Sequence, residues 1–444
     1  MIRFFINGKQ VTVTEWDKSS TLVEYIRYMQ HLTGTKVGCQ QGGCGACSVV
    51  LQKYDNQLER IVHRSINSCL TPLCSVDGCH IITVEGIGSC KKLHTIQDRF
   101  IETHASQCGF CTPGFVVSTY AALRENPKIT MREIEEALDG NLCRCTGYRP
   151  ILDAAKTLAS DYNKGTGCCK GEGSSCPCKN PESTEDSEFV STNTFDKNLP
   201  KFQEYKPESE LIFPPALKTY KSTNQVLTAQ DSSGTWYQPT TIDELTGFME
   251  SVNDPHQIIF YYGNLNFTRK LRESKEFISL LKVDGLDKIK IEENQLVIGS
   301  ATTLATVQEY LSKFSKENVN IQLINALNFQ IKKFGTPQLR NFAGIGSTII
   351  NTDMTTSLLT LLTEIEILII NQEKKFERKR VTLKEFIAHR KPSVPILPFS
   401  SSLLYYYSIH LLFSFTLSSR FKFIIVFGHQ HSFFEYFFLK IISI

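Results

Sequence analysis

Three cysteines are concentrated in the ten-residue stretch GCQQGGCGAC at 38–47. Cys39, Cys44 and Cys47 follow the spacing C-x4-C-x2-C. Cys69 lies downstream, where a small sheet can return it to the same loop. This is the spacing of a plant-type [2Fe–2S] cluster. A zinc knuckle or a loop of free thiols is the alternative, but zinc sites usually pair two C-x2-C or C-x2-C/H-x3-H units. The pattern therefore predicts an iron–sulfur site.

The same stretch is rich in glycine. Thiolates and bridging sulfides carry negative charge, which backbone N–H groups stabilise best when they point inward. Glycine permits the positive φ values and the close approach that such a loop requires. The loop is therefore predicted to wrap its backbone around a cluster at Gly38, Gly42, Gly43 and Gly45.

Four further cysteines form two short pairs, Cys108-x2-Cys111 and Cys143-x-Cys145. Each pair directly precedes a predicted helix, and a helix N-terminus favours thiolate anions. Taken alone, these pairs leave a zinc site as a serious alternative. Beside a ferredoxin-like domain, a second [2Fe–2S] cluster is the better interpretation. The other cysteines are interpreted as core or linker thiols: Cys74, Cys79, Cys90, Cys168, Cys169, Cys176 and Cys178.

The elements that must position these cysteines define an α+β, multidomain chain. Residues 1–88 alternate short β-rich runs with one helical stretch, which predicts a small mixed sheet carrying a helix. Residues 89–164 show helical spacing in four stretches. Residues 165–229 have the Gly, Ser, Pro and charge content of a linker. Residues 230–390 mix helices with short strands and are predicted to form an α+β domain.

The tail, residues 391–444, is crowded with Phe, Tyr, Ile, Leu and Ser and nearly lacks acidic residues. Residues 396–419 contain no Lys, Arg, Asp or Glu and are long enough to cross about 30 Å as a helix. Frequent serine, a proline and the lack of a clean helical stripe argue against a membrane anchor. An aberrant end, as from a mis-spliced gene, is the favoured interpretation, and a packed extension is the third alternative.

The net charge and the N-terminal residues limit the partners and the cellular location that can be expected. Lys plus Arg number 48 against 45 for Asp plus Glu, so the net charge of +3 predicts no nucleic-acid partner. The N-terminus has no long apolar stretch and no small-residue cleavage site, so no signal peptide is expected. A cytoplasmic, reducing location follows, in which the 15 cysteines favour metal binding over disulfides.

In their order, GCQQGGCGACSV, QCGFCTPG and GNLCRCTGYRPI resemble the molybdenum–flavin hydroxylases, the xanthine dehydrogenase and aldehyde oxidase family. IFPPAL at 212–217 matches the start of that family's FAD domain. The resemblance implies a β-grasp [2Fe–2S] ferredoxin domain, a four-helix-bundle [2Fe–2S] domain and an α+β FAD-binding domain of the PCMH type. It also implies that Gln107 and Cys145 lie near the molybdopterin of the full-length family.

The resemblance assigns FAD contacts to two loops and one aromatic residue. In the first loop Gly263 matches the family, whereas Leu265 stands where a Thr is usual. In the second loop Gly346 matches, but Ser347 is expected to crowd a phosphate, and Ser357 replaces an expected Asp. Weak FAD retention is therefore expected. The complete assignment is Tyr262, Gly263, Asn264, Leu265, Asn266, Phe334, Ile345, Gly346, Ser347 and Thr348.

The resemblance implies an electron relay through two clusters to FAD, with NAD or O2 as acceptor in the family. Because the chain contains nothing that matches the large molybdenum domain, a truncated hydroxylase without catalytic residues of its own is expected. Alternatives are a non-enzymatic electron-transfer subunit and a degenerate binding module. A homodimer or a molybdenum-containing partner is the expected assembly. The sequence does not separate xanthine from aldehyde as substrate.

Overall fold

The computed structural model describes residues 1–55, 57–162, 202–220, 227–231, 234–252, 258–263, 276–292, 295–314, 321–350, 363–370, 376–382, 406–407 and 421–425. These residues form three sheets with helices packed against them.

A five-stranded mixed sheet contains the N-terminal residues. Its strands are β1 (Ile2–Ile6), β2 (Lys9–Val13), β3 (Ser48–Asp55), β4 (Arg60–Asn67) and β5 (His80–Ile82). They lie in the order β2-β1-β5-β3-β4, and only β1 and β5 pair in parallel among them. Asn7 and Gly8 both have positive φ, as a two-residue Asn-Gly hairpin requires. The predicted first hairpin is thus confirmed, whereas β4 was not predicted.

The helix predicted in this region covers one face of the sheet. It comprises α1 (Leu22–Glu24) and a π-helical turn at Tyr25–Met29. Thr21 and Glu24 form a reciprocal capping box that fixes the start of α1. Helix and sheet share one buried apolar core, which includes Phe4, Leu22, Ile26, Val49 and Ile66.

The second region is helical, as predicted. Its helices are α2 (Val84–Ile87), α3 (Thr95–Glu102), α4 (Thr112–Glu125), α5 (Met131–Leu138) and α6 (Arg149–Lys156). A proline in the first turn of both α4 and α6 suits a position whose N–H has no partner within the helix. The helices enclose a core that includes Ile96, Phe115, Tyr120, Ile134 and Ile151.

Part of the predicted linker is packed against these two regions. Arg99 donates from Nη2 to the carbonyl oxygen of Gln203 at 2.9 Å. Glu210 lies 2.7 Å from His94 Nε2, and the Tyr220 hydroxyl donates to Asp77 at 2.9 Å. The polar composition of 165–229 concealed these anchoring residues. Residues 202–220 therefore pack along both regions and contact them through these side chains and carbonyls. Residues 163–201 lie outside the described residues.

The third region begins with a four-stranded sheet. Its strands are β6 (Leu227–Asp231), β7 (Gly234–Gln238), β8 (Ile258–Tyr261) and β9 (Glu276–Ser279), in the order β6-β7-β9-β8. β9 pairs in parallel with both β7 and β8. The helices here are α7 (Ile242–Ser251), α8 (Leu304–Phe314), α9 (Ile321–Lys333), α10 (Pro337–Arg340) and α11 (Ile345–Ile350). Helices and strands alternate, as predicted for an α+β domain.

The third sheet includes a segment of the apolar tail. Its strands are β10 (Ile289–Glu292), β11 (Gln295–Ile298), β12 (Thr363–Ile370), β13 (Phe376–Thr382), β14 (Tyr406–Tyr407) and β15 (Phe421–Ile425). β15 pairs in parallel with both β11 and β12. This pairing is what the alternative of a packed extension predicts. Most of residues 391–444 lie outside the described residues. The interpretation of the tail as the end of a mis-spliced gene stays a prediction. Over the described ranges, no helix is long and apolar enough to cross a membrane.

Apolar contacts and ion pairs are among the contacts that join the third region to the others. Trp236, Tyr261 and Phe277 share the apolar core of the first sheet. At the surface, Arg60 and Arg64 of β4 form a four-membered ion-pair network with Glu125 of α4 and Glu309 of α8, with N–O distances of 2.6–3.2 Å. Burial opposes ionisation of Glu309, but the hydrogen bonds from Arg60 and Lys313 and the nearby arginine charges together outweigh it and lower its pKa to about 2. The three regions are therefore held by both apolar and ionic contacts.

A chain of hydrogen bonds crosses the first sheet at His80. The Gly8 N–H donates to His80 Nε2 at 3.0 Å, and His80 Nδ1 lies 2.7 Å from Gln52 Oε1. Because Nε2 accepts, Nδ1 carries the proton and the ring is neutral. Burial lowers the pKa of His80 to about 4.

This buried neutral ring predicts acid sensitivity. Free histidine titrates near about 6.5, so below that pH the unfolded chain binds a proton that the folded chain rejects. The free energy of unfolding should be intact above that pH and should fall as the pH drops towards 4, by up to about 3 kcal/mol from His80. Denaturant titrations across this range measure the slope. His80→Gln, which cannot titrate, should make the slope shallower and leave the contribution of His63, whose pKa burial also lowers to about 4. An unchanged slope in that variant would contradict the assignment.

Candidate iron–sulfur and flavin sites

The structure brings the four cysteines of the first motif together. The Cys39 N–H donates to Cys44 Sγ at 3.4 Å. The thiols of Cys39 and Cys44 form one hydrogen-bonded pair, and those of Cys47 and Cys69 form another. Cys47 and Cys69 are buried, whereas Cys39 is exposed at the mouth of the loop. The donors thus lie as two pairs, with Cys39, Cys44 and Cys47 on the 38–47 loop and Cys69 just after β4.

Backbone N–H groups of this loop point at the sulfurs, as predicted. The Gln41 N–H donates to Cys39 Sγ at 3.3 Å. Burial raises the pKa of Cys39, but this N–H and that of Gly43 help to hold it below its ordinary value. The Cys69 thiol lowers the pKa of Cys47, and its own pKa rises through the same hydrogen bond. The surroundings therefore favour the thiolate at Cys39 and Cys47, while the pKa values of Cys44 and Cys69 are raised.

The second set of cysteines repeats this arrangement. Cys145 Sγ lies 3.5 Å from Cys108 Sγ, and the thiols of Cys111 and Cys143 are hydrogen bonded. Burial opposes ionisation of Cys143, but the hydroxyl and N–H of Thr146 lower its pKa to about 7. Burial, together with Cys143, raises the pKa of Cys111 to about 12. Cys111 caps α4, so the predicted position before a helix is confirmed.

Both sets share a two-by-two geometry. In each pair one thiol has a pKa below its ordinary value and the other above it. Among the residues that the structure describes, no three His, Cys, Asp or Glu side chains form a site for a single metal ion. A [2Fe–2S] cluster takes two protein ligands on each of its two irons, so paired thiols suit it. The donor set and the inward N–H groups fit such a cluster.

The two cysteine loops contact each other directly. The Leu142 N–H, next to Cys143, donates to the carbonyl oxygen of Cys44 at 3.0 Å. Asn141 donates from Nδ2 to the carbonyl oxygen of Gly45 at 3.1 Å. Sequence reasoning missed Asn141, although it lies inside the motif GNLCRCTGYRPI.

The structure describes some of the residues that the resemblance assigns to FAD and not others. Tyr262 is buried, and Gly263 has a φ of +78° with no room for a side chain against the Phe342 carbonyl. Gly344 and Gly346 lie beside Tyr262, since the Gly344 N–H donates to the Tyr262 carbonyl at 2.7 Å. The two loops assigned by resemblance are thus neighbours. Residues 264–266 and Ser357 lie outside the described residues.

The second loop has little spare hydrogen-bonding capacity. The Gly346 N–H donates to the Ser300 carbonyl and the Ile345 N–H to the Thr302 carbonyl, both at 2.9 Å. The hydroxyls of Ser347 and Thr348 donate to carbonyls of their own turn at 2.7 and 2.8 Å. Ser347 is buried, and its hydroxyl bonds to the Gly344 carbonyl of its own turn. The expectation that this hydroxyl crowds a phosphate of FAD stays a prediction.

Three buried hydroxyl groups near the second loop have no hydrogen-bond partner among the described residues. They belong to Tyr262, Ser300 and Thr302. Buried polar atoms normally have partners, so each of these hydroxyls is available to a polar ligand beside the loop. Phe334 is half-buried and starts the turn that leads into α10. These residues fit a flavin nucleotide, although sequence reasoning did not single out Ser300 and Thr302.

Three family models match the chain in the order of its regions. Residues 4–74 match the 2Fe-2S iron-sulfur cluster binding domain, residues 83–156 the [2Fe-2S] binding domain, and residues 229–394 the FAD binding domain in molybdopterin dehydrogenase. The chain thus has two [2Fe–2S]-binding domains followed by an FAD-binding domain.

Whole-chain comparisons find relatives of the same kind. Aldehyde oxidase 1 of Bos taurus is 35% identical over 407 residues, which are 89% of this chain and 30% of that protein. Xanthine dehydrogenase/oxidase of Gallus gallus is 37% identical over 372 residues, 78% of this chain and 27% of that protein. The chain belongs to the xanthine dehydrogenase and aldehyde oxidase family and matches its N-terminal part. It spans less than a third of the length of these relatives.

Among solved structures, quinoline 2-oxidoreductase from Pseudomonas putida 86 matches with 41% identity. The match covers 35% of this chain and 89% of that chain, with a TM-score of 0.30. Aldehyde oxidoreductase from Desulfovibrio gigas matches with 36% identity over 36% of this chain and 17% of that chain, with a TM-score of 0.32.

The tight contact between the cysteine loops predicts a steric test. Gly45 has a φ of +66°, and a Cβ there would collide with the Gly140 carbonyl. Gly45→Ala should therefore lose at least the first cluster, about half of the bound iron and sulfide. The matched control is Gly43→Ala, because nothing lies within 4 Å of a Cβ at Gly43. Iron and acid-labile sulfide analysis measures the outcome; equal iron in the two variants would contradict the account.

Proposed function

We propose that the chain is an electron relay in which two [2Fe–2S] clusters pass electrons to a bound FAD. The pairing of thiols under backbone N–H groups is the observation that carries this proposal. One cluster is assigned to Cys39, Cys44, Cys47 and Cys69, and the other to Cys108, Cys111, Cys143 and Cys145. A single zinc ion would need its four ligands around one centre, whereas these thiols lie two by two.

The finer architecture belongs to the same proposal. We assign residues 1–88 to a β-grasp ferredoxin domain, because a helix covers a mixed sheet whose first strand pairs in parallel with its last. Residues 89–164 form the four-helix-bundle domain around α3 to α6. Residues 230–390 form the FAD-binding domain of the PCMH type, supported by its two sheets and their covering helices.

The protein's own atoms bind and tune the cofactors. When bound, the clusters transfer single electrons and FAD exchanges two, so the redox chemistry is supplied by these groups. The N–H groups of the first loop stabilise negative charge at Cys39 and Cys44 and so favour the reduced state of a cluster there. The hydroxyl and N–H of Thr146 do the same for Cys143. Tyr262, Ser300 and Thr302 offer hydroxyls to FAD next to Gly263.

The exposed second site is proposed to receive the electrons. Two ligand thiols of the second site, Cys108 and Cys145, are exposed, and Gln107 is exposed beside them. At the first site one thiol, Cys39, is exposed, and Cys47 and Cys69 are buried. A redox partner can therefore approach the second site more closely than the first. We propose a molybdopterin-bearing portion as this donor, in keeping with the family, and NAD or O2 as the final acceptor.

The whole protein's activity is proposed from its relatives. Their names indicate oxidation of xanthine or of aldehydes, and both kinds match this chain at similar identity. We propose that the chain takes part in one of these oxidations together with molybdenum-bearing residues. A cytoplasmic homodimer is the proposed setting.

Metal analysis tests the cluster assignment directly. Purified anaerobically, the chain should hold about four irons and four labile sulfides. Cys44→Ser should remove one electron paramagnetic resonance signal and leave the second, because the two ligand sets use different residues. Cys74→Ser is the matched control: Cys74 is a buried thiol of the apolar core, and both signals should remain. Zinc without sulfide, or loss of both signals in Cys44→Ser alone, would contradict the assignment.

The flavin site has its own steric test. Wild-type chain should retain less than one FAD per chain after gel filtration, because Leu265 and Ser347 depart from the family pattern. Gly263→Ala should lower retention further, since its Cβ would collide with the Phe342 carbonyl. Gly247→Ala is the control, because a Cβ there meets nothing within 4 Å. Flavin absorbance of the protein peak gives the ratio, and equal retention in both variants would argue against a flavin at Gly263.

A further inference from the structure

A buried amide network joins the flavin-binding domain to both cysteine loops. Gln338 of α10 donates from Nε2 to Asn141 Oδ1 at 2.9 Å and to Ser118 Oγ at 3.2 Å. The Ser118 hydroxyl in turn donates to Asn141 Oδ1 at 2.9 Å. Gln338, Ser118 and Asn141 are 1%, 2% and 3% exposed. The Gln338 Nε2, Ser118 Oγ and Asn141 Oδ1 atoms therefore pair with one another, whereas Gln338 Oε1 has no partner among the described residues. Each of the three side chains comes from a different segment of the chain.

Asn141 transmits this contact to the first cysteine loop. Its Nδ2 donates to the Gly45 carbonyl at 3.1 Å, where Ser48 also donates from its N–H at 3.1 Å and from its hydroxyl at 2.7 Å. The Gly45 carbonyl and the Ala46 N–H belong to one planar peptide group, so the direction of one fixes the direction of the other. The Ala46 N–H donates to the sulfur of Cys44. The network thus ends on a proposed cluster ligand.

The surrounding backbone leaves room for this network and for little else. A Cβ at Gly140 would collide with the Gln338 amide, and a Cβ at Gly114 would lie 3.0 Å from Asn141 Nδ2. Gly45 and Gly114 also approach Asn141 closely, so these contacts and the Gln338 amide restrict its orientation. Removal of the Gln338 amide would instead leave Asn141 Oδ1 with one donor and a neighbouring space.

We propose that Gln338 is a positioning residue for the first cluster. By orienting Asn141, it holds the Gly45–Ala46 peptide so that the Ala46 N–H donates to Cys44, and it thereby sets the reduction potential of that cluster. The docking of the flavin-binding domain is in this way coupled to the electronic environment of its electron donor. This inference rests on the proposed function in taking Cys44 as a ligand.

The test compares reduction potentials in full-length chains purified anaerobically. Gln338→Met keeps the size of the side chain and removes its donors. Because N–H donors stabilise the more negative, reduced cluster, the potential of the first cluster should fall. We expect about a tenfold shift in the reduction equilibrium, which is about 59 mV for one electron. Redox titration followed by electron paramagnetic resonance measures both clusters separately.

The control removes another hydrogen bond of the same segment. Asn341 donates from Nδ2 to the Ser65 carbonyl at 2.8 Å, so Asn341→Leu also removes a contact between the flavin-binding and ferredoxin domains. That variant should leave both potentials unchanged. Ser118→Ala removes the second donor to Asn141 and should shift the reduction potential of the first cluster in the same direction as Gln338→Met. If Gln338→Met does not fold, the potential measured in Ser118→Ala tests the inference.

The outcomes separate this inference from the proposed function. A wild-type chain without iron contradicts the proposed function and the inference together. Two clusters in the wild type, with wild-type potentials in Gln338→Met and Ser118→Ala, contradict the positioning role alone. An equal shift in Asn341→Leu also contradicts it, because general loosening of the domains would then explain the effect.

Discussion

Negative charge on paired sulfur atoms is the constraint on which the rest of this structure depends. Thiolates can be held close together only where N–H groups point at them, and this requires a backbone that turns inward at positive φ. Gly42 and Gly45 meet this requirement in the first loop, and Gly109 and Gly147 have positive φ beside the second cysteine pairs. A glycine-rich loop of this kind has few side chains that can pack and hold its conformation. Its shape must therefore be supported from outside.

That support comes from the neighbouring domains. Asn141 of the helical region holds Gly45, and Leu339 of α10 packs against the buried Cys47 and Cys69. The ion pairs of Arg60 and Arg64 with Glu125 and Glu309 join the same three regions at the surface. These four side chains are half-buried, with 15–35% of their surface exposed, so the ion pairs and the buried contacts both hold the regions together. The clusters and the flavin site are therefore parts of one packed unit.

Much of this was predictable from local patterns. Cysteine spacing grouped thiols that the structure brings together, because short spacings keep most members of each group on one loop. Asn7-Gly8 identified a hairpin because few residues accept that turn. Three of the four helices between residues 89 and 164 begin at a Thr or Pro signal that the sequence displays. What sequence reasoning missed is non-local. Gln338 is an ordinary glutamine in the sequence, and its role depends on a contact with Asn141, 197 positions away.

The central claim is that each set of four thiols holds two irons bridged by sulfide. Iron-edge X-ray absorption of the anaerobically purified chain tests this claim directly, because it reports the atoms around each iron. The account predicts a first shell made entirely of sulfur, with a second iron as the nearest metal neighbour. Iron surrounded by nitrogen or oxygen, or iron without an iron neighbour, would contradict it.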